Sequence, residues 1–243
     1  MAKSKMSNKP LPKINEEIAK RVLEVVDKGL TDGIGEAVPG EMCVEAAVCY
    51  AMGEPHTDRP RCVEPAIRDF KINLNDHESW RNDKSRAAGL RRLAIAQLGS
   101  KGKINGDKFN TALENLVLTK YAPMYYKAAT QRMEQLSKHA QSLANATGKK
   151  RKALTRKYED EDTVTVISLD LSFDDNGDVL PMLTSVMEEI HPVSYDGSYI
   201  ARQRALKAQE KILVEFAEDV VQILVKLKSP GCKFLYLTEA PTK

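Results

Sequence analysis

Aromatic side chains are scarce in this chain, at 6% with one tryptophan, Trp80, and 243 residues hold only four cysteines. The sequence offers no aromatic stacking motif, no helix-turn-helix and no zinc finger with which to read bases. Four cysteines, three of them between positions 43 and 62, do not make a disulfide framework and fit a reduced, cytoplasmic protein. No two lie in a C-x2-C pair, the usual anchor of a zinc motif. Cys49, His56 and Cys62, with Asp58, are the set a loop can bring together, but their spacing does not earn a metal assignment. No apolar run approaches the length needed to span a bilayer. The opening MAKSKMSNKPLPK is basic without an apolar stretch, so it reads as a flexible tail over 1–13 rather than a secretory signal.

Other absences narrow the chemistry. The run GIGEAVPG has no Lys-Ser/Thr after its last glycine, and Asp32, Glu36 and Glu41 would repel a phosphate, so it reads as a plain turn. The run DDNGD at 174–178 places Leu183 where a calcium loop requires glutamate. No Ser-His-Asp elbow and no paired-carboxylate motif appears. No cofactor is expected.

The densest information lies in Ile34–Cys62. Gly33, Gly35, Pro39 and Gly40 form a loop suited to unusual backbone angles. A helix is expected from Glu41 to Met52, stopped by Gly53. Only Glu41 and Glu45 are charged within it, and a helix apolar on nearly every side is normally buried on nearly every side. Cys43 falls in the first turn, where free N–H groups favour a thiolate. Set against that are its better fit as a small core residue and repulsion from Glu41 and Glu45.

The remaining pattern is mostly helical. Helices are expected over 15–28, 84–98, 107–119, 124–146, 181–190 and 199–228, with a short turn at 66–70 followed by an extended piece at 71–74. Thr163–Phe173 alternates as a half-buried strand, and Lys233–Thr238 reads as a second strand able to pair with it. The expected fold is α+β and predominantly α-helical: a buried central helix near 41–52, a two-stranded sheet (163–173, 233–238) and a long C-terminal helix. The expected organisation is a helical domain over 14–148, a charged linker over 149–162 (KKRKALTRKYEDED) and a small α/β unit over 163–243.

A net charge of +3 is too small to imply nucleic acid, but its distribution is uneven. Lys84, Arg86, Arg91, Arg92, Lys101 and Lys103 fall in a stretch free of acids, and Lys149, Lys150, Arg151 and Lys152 form a second basic run. Such stretches suit phosphate contact; a solvated helix face paired with acids elsewhere is the competing explanation. Two functions follow. One is a non-enzymatic binding protein presenting a basic helical surface to an acidic macromolecule, nucleic acid or protein, with no membrane partner and with the long C-terminal helix as a candidate homo-oligomer surface. The other is a cysteine-dependent hydrolase or transferase, with Cys43 as nucleophile and His56 or His191 as base.

Overall fold

The computed structural model describes residues 13–147, 149, 179–192 and 199–239. The chain divides into two compact units, one within 1–114 and 196–243 and the other within 115–195. The linker expected at 149–162 lies, apart from Lys149, outside the described residues.

The first unit begins with α1 (Glu16–Val26), capped by Asn15, whose Oδ1 accepts from the Ile18 amide at 3.0 Å. Its stripe of Ile18, Val22, Leu23, Val25 and Val26 is buried, as the 3.6-residue period requires. α2 (Val44–Ala51) is the short central helix, with every residue buried except Tyr50. It ends in a Schellman turn, where the Glu54 amide bonds the Cys49 carbonyl and the Gly53 amide bonds that of Tyr50. α3 spans Pro65–Asn75 without a break, so the extended piece expected at 71–74 is helix. Ile67, Phe70, Lys71 and Leu74 are all buried, and their i, i+3, i+4 spacing outweighs the weak local propensity.

α4 (Asp83–Ala96) starts at a capping box between Asn82 and Ser85. It packs against α1, α2, the long α8 (Tyr199–Lys226) and the following 3-10 helix (Pro230–Thr238). α4, more than α2, is therefore the element its neighbours share. Trp80 donates its indole N–H to the Leu74 carbonyl at 2.7 Å and lies against Gly89, where a Cβ would collide with the ring. α5 (Gly106–Leu116) contributes Phe109, which meets Phe70 edge-on at 5.9 Å; Phe70 meets Phe216 of α8 at the same distance.

In the second unit a π-helical segment (Val117–Tyr121) and α6 (Ala122–Ala144) pack with α7 (Leu180–Ile190). Tyr121, Tyr125, Leu183, Val186 and Met187 are buried there, and Arg132 lies 3.6 Å from Glu189.

The expectation of a sheet is overturned. Among the described residues there is no strand, only an isolated bridge between Gly35 and Met42. Lys233–Thr238 belongs to the 3-10 helix, and Thr163–Phe173 lies outside the described residues. The reason is a contact with α4, distant in the chain. Gly231 is pressed against the end of α4, where a Cβ would strike the Ile95 carbonyl, and Ser229 Oγ donates to the Ala96 carbonyl at 2.5 Å. Lying across a helix end with no strand beside it, the segment satisfies backbone groups by i, i+3 bonds, such as Glu239 N to Tyr236 O. The described residues are therefore predominantly α-helical, without a sheet. No helix among the described residues is long and apolar enough to cross a membrane.

Candidate functional site

Three places stand out, two of which hold residues singled out from the sequence. The first is the start of α2. Cys43 is its N-cap rather than a first-turn residue, and its Sγ accepts from the Ala46 amide at 3.4 Å. The other donors at this end are also engaged: Cys43 N with the Ile34 carbonyl, Val44 N with Asn75 Oδ1 at 3.2 Å. A helix end with its amides engaged has little left for an anion. The glycine loop before it is fixed rather than open. Gly35 has φ +64°, and a Cβ there would collide with the Glu41 carbonyl.

Asn75 holds this loop. Its Nδ2 donates to the Thr31 carbonyl and to Asp76 Oδ1, each at 2.8 Å, and Asp76 Oδ1 also accepts from the Gly33 amide at 2.8 Å. Sequence reasoning took Asn75-Asp76 for the end of an extended piece and missed this role. The available signal was the Asn-Asp pair itself, whose short side chains bond nearby backbone.

As a nucleophile Cys43 has little in its favour. It is buried, and burial pushes its thiol up to about 11. His56 is exposed and its Nε2 lies 3.0 Å from the Gly35 carbonyl. His191 is in the second unit. Cys49 and Cys62 are buried too, Cys62 with its Sγ 3.3 Å from Met52 Sδ and its thiol at about 11. Among the described residues no three His, Cys, Asp or Glu side chains are placed to hold a metal ion.

The second place is a charged cluster in the core that sequence reasoning did not find. Glu45 of α2, Lys71 of α3 and Gln97 at the end of α4 are each wholly buried. Lys71 Nζ lies 3.3 Å from Glu45 Oε1, and Gln97 Nε2 donates to Glu45 Oε2 at 3.1 Å. Desolvation raises the Glu45 carboxyl and lowers the Lys71 ammonium, each partly opposed by the other's charge. Such a pair ties three helices in one register at a desolvation cost.

The third place is the basic stretch of α4. Arg86 is buried; its Nε donates to the Asn75 carbonyl at 2.7 Å, and its Nη1 to the Leu30 carbonyl and Asp83, each at 2.8 Å. Arg91 pairs with Asp27 at 2.7 Å and donates to the Thr238 carbonyl. Arg92 pairs with Glu218 at 2.8 Å and donates to Thr238 Oγ1. Lys84 donates to the Lys28 carbonyl at 2.6 Å, behind the last turn of α1. Lys149 is exposed; Lys150, Arg151 and Lys152 lie outside the described residues.

Lys101 and Lys103 are different. Both are exposed and neither forms an ion pair among the described residues. They follow Gly99, whose φ of +75° turns the chain at the end of α4. A Cβ on Gly99 would touch Ile14 and Pro230, each at 3.3 Å. Three remote segments meet at this point. Lys13 precedes Ile14, Lys226 and Lys228 precede Pro230, and Lys233 follows it; all four are exposed and likewise outside any ion pair with a described residue. Lys13, Lys101 and Lys228 stand within two residues of the junction, about 7 Å of chain at most. Lys103 is folded back by its amide bond to Ser100, and Lys233 adjoins Cys232, whose Sγ lies 3.8 Å from the Ala96 carbonyl. No acid occurs from Lys84 to Gly106 or from Val220 to Thr238. Of the acids nearest these lysines along the chain, Glu16 pairs with Lys20 at 2.6 Å, and Asp107 and Glu239 make no ion pair with them among the described residues. The C-terminal ends of α4 and α8 contribute about half a negative charge each, small beside six ammonium groups. Comparison with protein-family models, with curated proteins and with solved structures finds no match to this chain.

Proposed function

We propose that this is a non-enzymatic binding protein whose first unit offers a lysine pole to an acidic macromolecule, nucleic acid or protein. The observation that carries the reading is the gathering of Lys13, Lys101, Lys103, Lys226, Lys228 and Lys233 around the Gly99–Pro230 contact, exposed and without acid partners among the described residues. Six like charges held together by the fold repel one another; a polyanion relieves that repulsion and releases its own counterions. The arginines of α4 do not belong to the surface in this reading, because their donors are engaged within the chain. Ile212, Leu213, Phe216, Val220 and Leu224 of α8 are buried within the chain, while Tyr199, Ile200, Val214 and Val225 of the same helix are exposed. A cytoplasmic setting belongs to the same proposal, and four unbridged thiols fit it.

Retention on immobilised heparin tests the reading. A variant with Lys101, Lys103, Lys228 and Lys233 changed to alanine should elute at clearly lower salt than the unmodified chain. Equal elution of the two would overturn it.

A further inference from the structure

We infer that the lysine pole takes the sugar-phosphate backbone of a double-stranded nucleic acid without reading its base sequence; this rests on the polyanion reading above. Four observations narrow the partner.

The charges of the pole are all lysines. An ammonium is a compact, strongly hydrated point charge, suited to displacing counterions along a phosphate chain, whereas planar bidentate recognition of carboxylates is the task of arginine. The arginines that could have supplied it, Arg91 and Arg92, have their forks closed on Asp27 and Glu218.

Protein interfaces are depleted in lysine and carry an apolar or aromatic core. Of the aromatic residues beside the pole, Phe234 is buried, with Lys233 Nζ 4.7 Å from its ring centroid. Tyr236 is exposed and interacts with Glu16. A single exposed ring, its hydroxyl tied to Glu16, is not the run of aromatics on which single-stranded bases stack, and no aromatic cluster among the described residues stands beside the pole to anchor a protein.

The helix N-termini that border the pole, of α1 just after Ile14 and of α5 at Gly106, open with acids, Glu16 and Glu17 in the one and Asp107 in the other. The other elements that converge there are the C-terminal ends of α4 and α8, a tight turn and the start of a 3-10 helix. Contacts from such elements position a duplex but carry no sequence information.

The fourth observation is Lys228. It is the only non-glycine residue with positive φ, +59°, among the described residues. It occupies the position in the Schellman turn of α8 that glycine normally fills, with Lys228 N bonded to Val225 O and Ser229 N to Leu224 O. The corresponding position at the end of α2 is a glycine, Gly53. A side chain kept where the backbone disfavours one points to a use for that side chain.

Fluorescence anisotropy of the full chain with a labelled 30-base-pair DNA of arbitrary sequence, titrated from about 50 to 300 mM NaCl, tests the inference, with a labelled polyglutamate as the parallel probe. The expected result is duplex binding that falls log-linearly with salt, at a slope of up to about −5 for six phosphate contacts at roughly −0.9 each. Binding should be indifferent to base sequence. Alanine at Lys101, Lys103, Lys228 and Lys233 should lower the slope by about 1 per lysine and weaken affinity at least about tenfold at 100 mM salt. Arginine at the same four positions should retain binding, which separates charge from folding. Polyglutamate bound while duplex is not would overturn the nucleic-acid inference and leave the polyanion reading standing. If neither probe binds, both fall. Duplex bound equally by the alanine variant, or bound with a marked sequence preference, would overturn the backbone-only assignment to this pole.

Discussion

The two ends of α4 carry positive charge in opposite ways. Along the helix, Arg86, Arg91 and Arg92 close on backbone carbonyls and on Asp83, Asp27 and Glu218. Just past its end, Lys101 and Lys103 stand exposed on a segment that meets two others carrying Lys13, Lys226, Lys228 and Lys233. In the sequence the two groups form one uninterrupted basic stretch. The difference teaches that a charge count along the chain does not distinguish cations that the fold consumes from cations it leaves over. Arginine, with five donors in a fixed fork, bridges elements of the fold; lysine, with a flexible stem, can stay in water at low cost.

The largest effect that would sharpen this contrast belongs to the buried pair. Lys71→Met should destabilise the chain by about 3–5 kcal/mol, since it leaves Glu45 buried without its counter-charge. Adding Glu45→Gln should restore a large part of the loss. Urea denaturation of both variants checks this, and equal stabilities would show that the charges do not couple. Arg86→Met comes next. It strips hydrogen bonds from the Asn75 and Leu30 carbonyls and should cost about 2–3 kcal/mol. Lys101→Ala, by the same measurement, should stay within about 0.5 kcal/mol. A surface lysine as costly as Arg86 would break the comparison.

The thiols supply a pH test of intermediate size. Burial raises Cys43 and Cys62 from 9.0 to about 11. A raised folded-state pKa favours the fold below the unfolded value and loses that contribution as pH rises through the folded one. Stability should therefore decline between pH 9 and about 11, by up to about 2 kcal/mol per thiol. Cys43→Ser keeps an N-cap side chain and should flatten part of that decline, whereas Cys43→Ala should also lose about 1 kcal/mol of capping. A smaller effect than that of the thiols is expected at Lys228. Glycine there should raise stability by about 0.5–1 kcal/mol, because the left-handed conformation no longer opposes a Cβ, while weakening duplex binding. A destabilised Lys228→Gly would show that the side chain serves the fold instead.

Much of the helical framework was legible in the sequence. The apolar stripe of α1 and the all-round apolar α2 announce themselves by spacing and residue type. The segment at 233–238 was misread because alternation in six residues cannot say whether a partner strand exists, and the deciding contact, Gly231 against Ile95, is more than a hundred residues apart in the chain. The arginines were misjudged for the same reason: Glu218 lies 126 positions from Arg92. Of the candidate site, Lys101 and Lys103 were readable as basic, but the junction that gathers Lys13, Lys226, Lys228 and Lys233 around them exists only in three dimensions. The pairing of Glu45 with Lys71 was equally out of reach, since each looks from sequence like an ordinary surface charge.

The return of α8 to the beginning of the chain has a consequence for biosynthesis. Arg81, Ser79 and Arg92 find Glu210, Gln209 and Glu218 at separations of 129, 130 and 126 residues. On a ribosome adding about 5–20 residues per second, the amino-terminal helices wait several seconds for the counter-charges that neutralise them. Through that interval Arg81 and Arg92 stand without their carboxylates, and this part of the first unit closes only when the chain's own far end emerges.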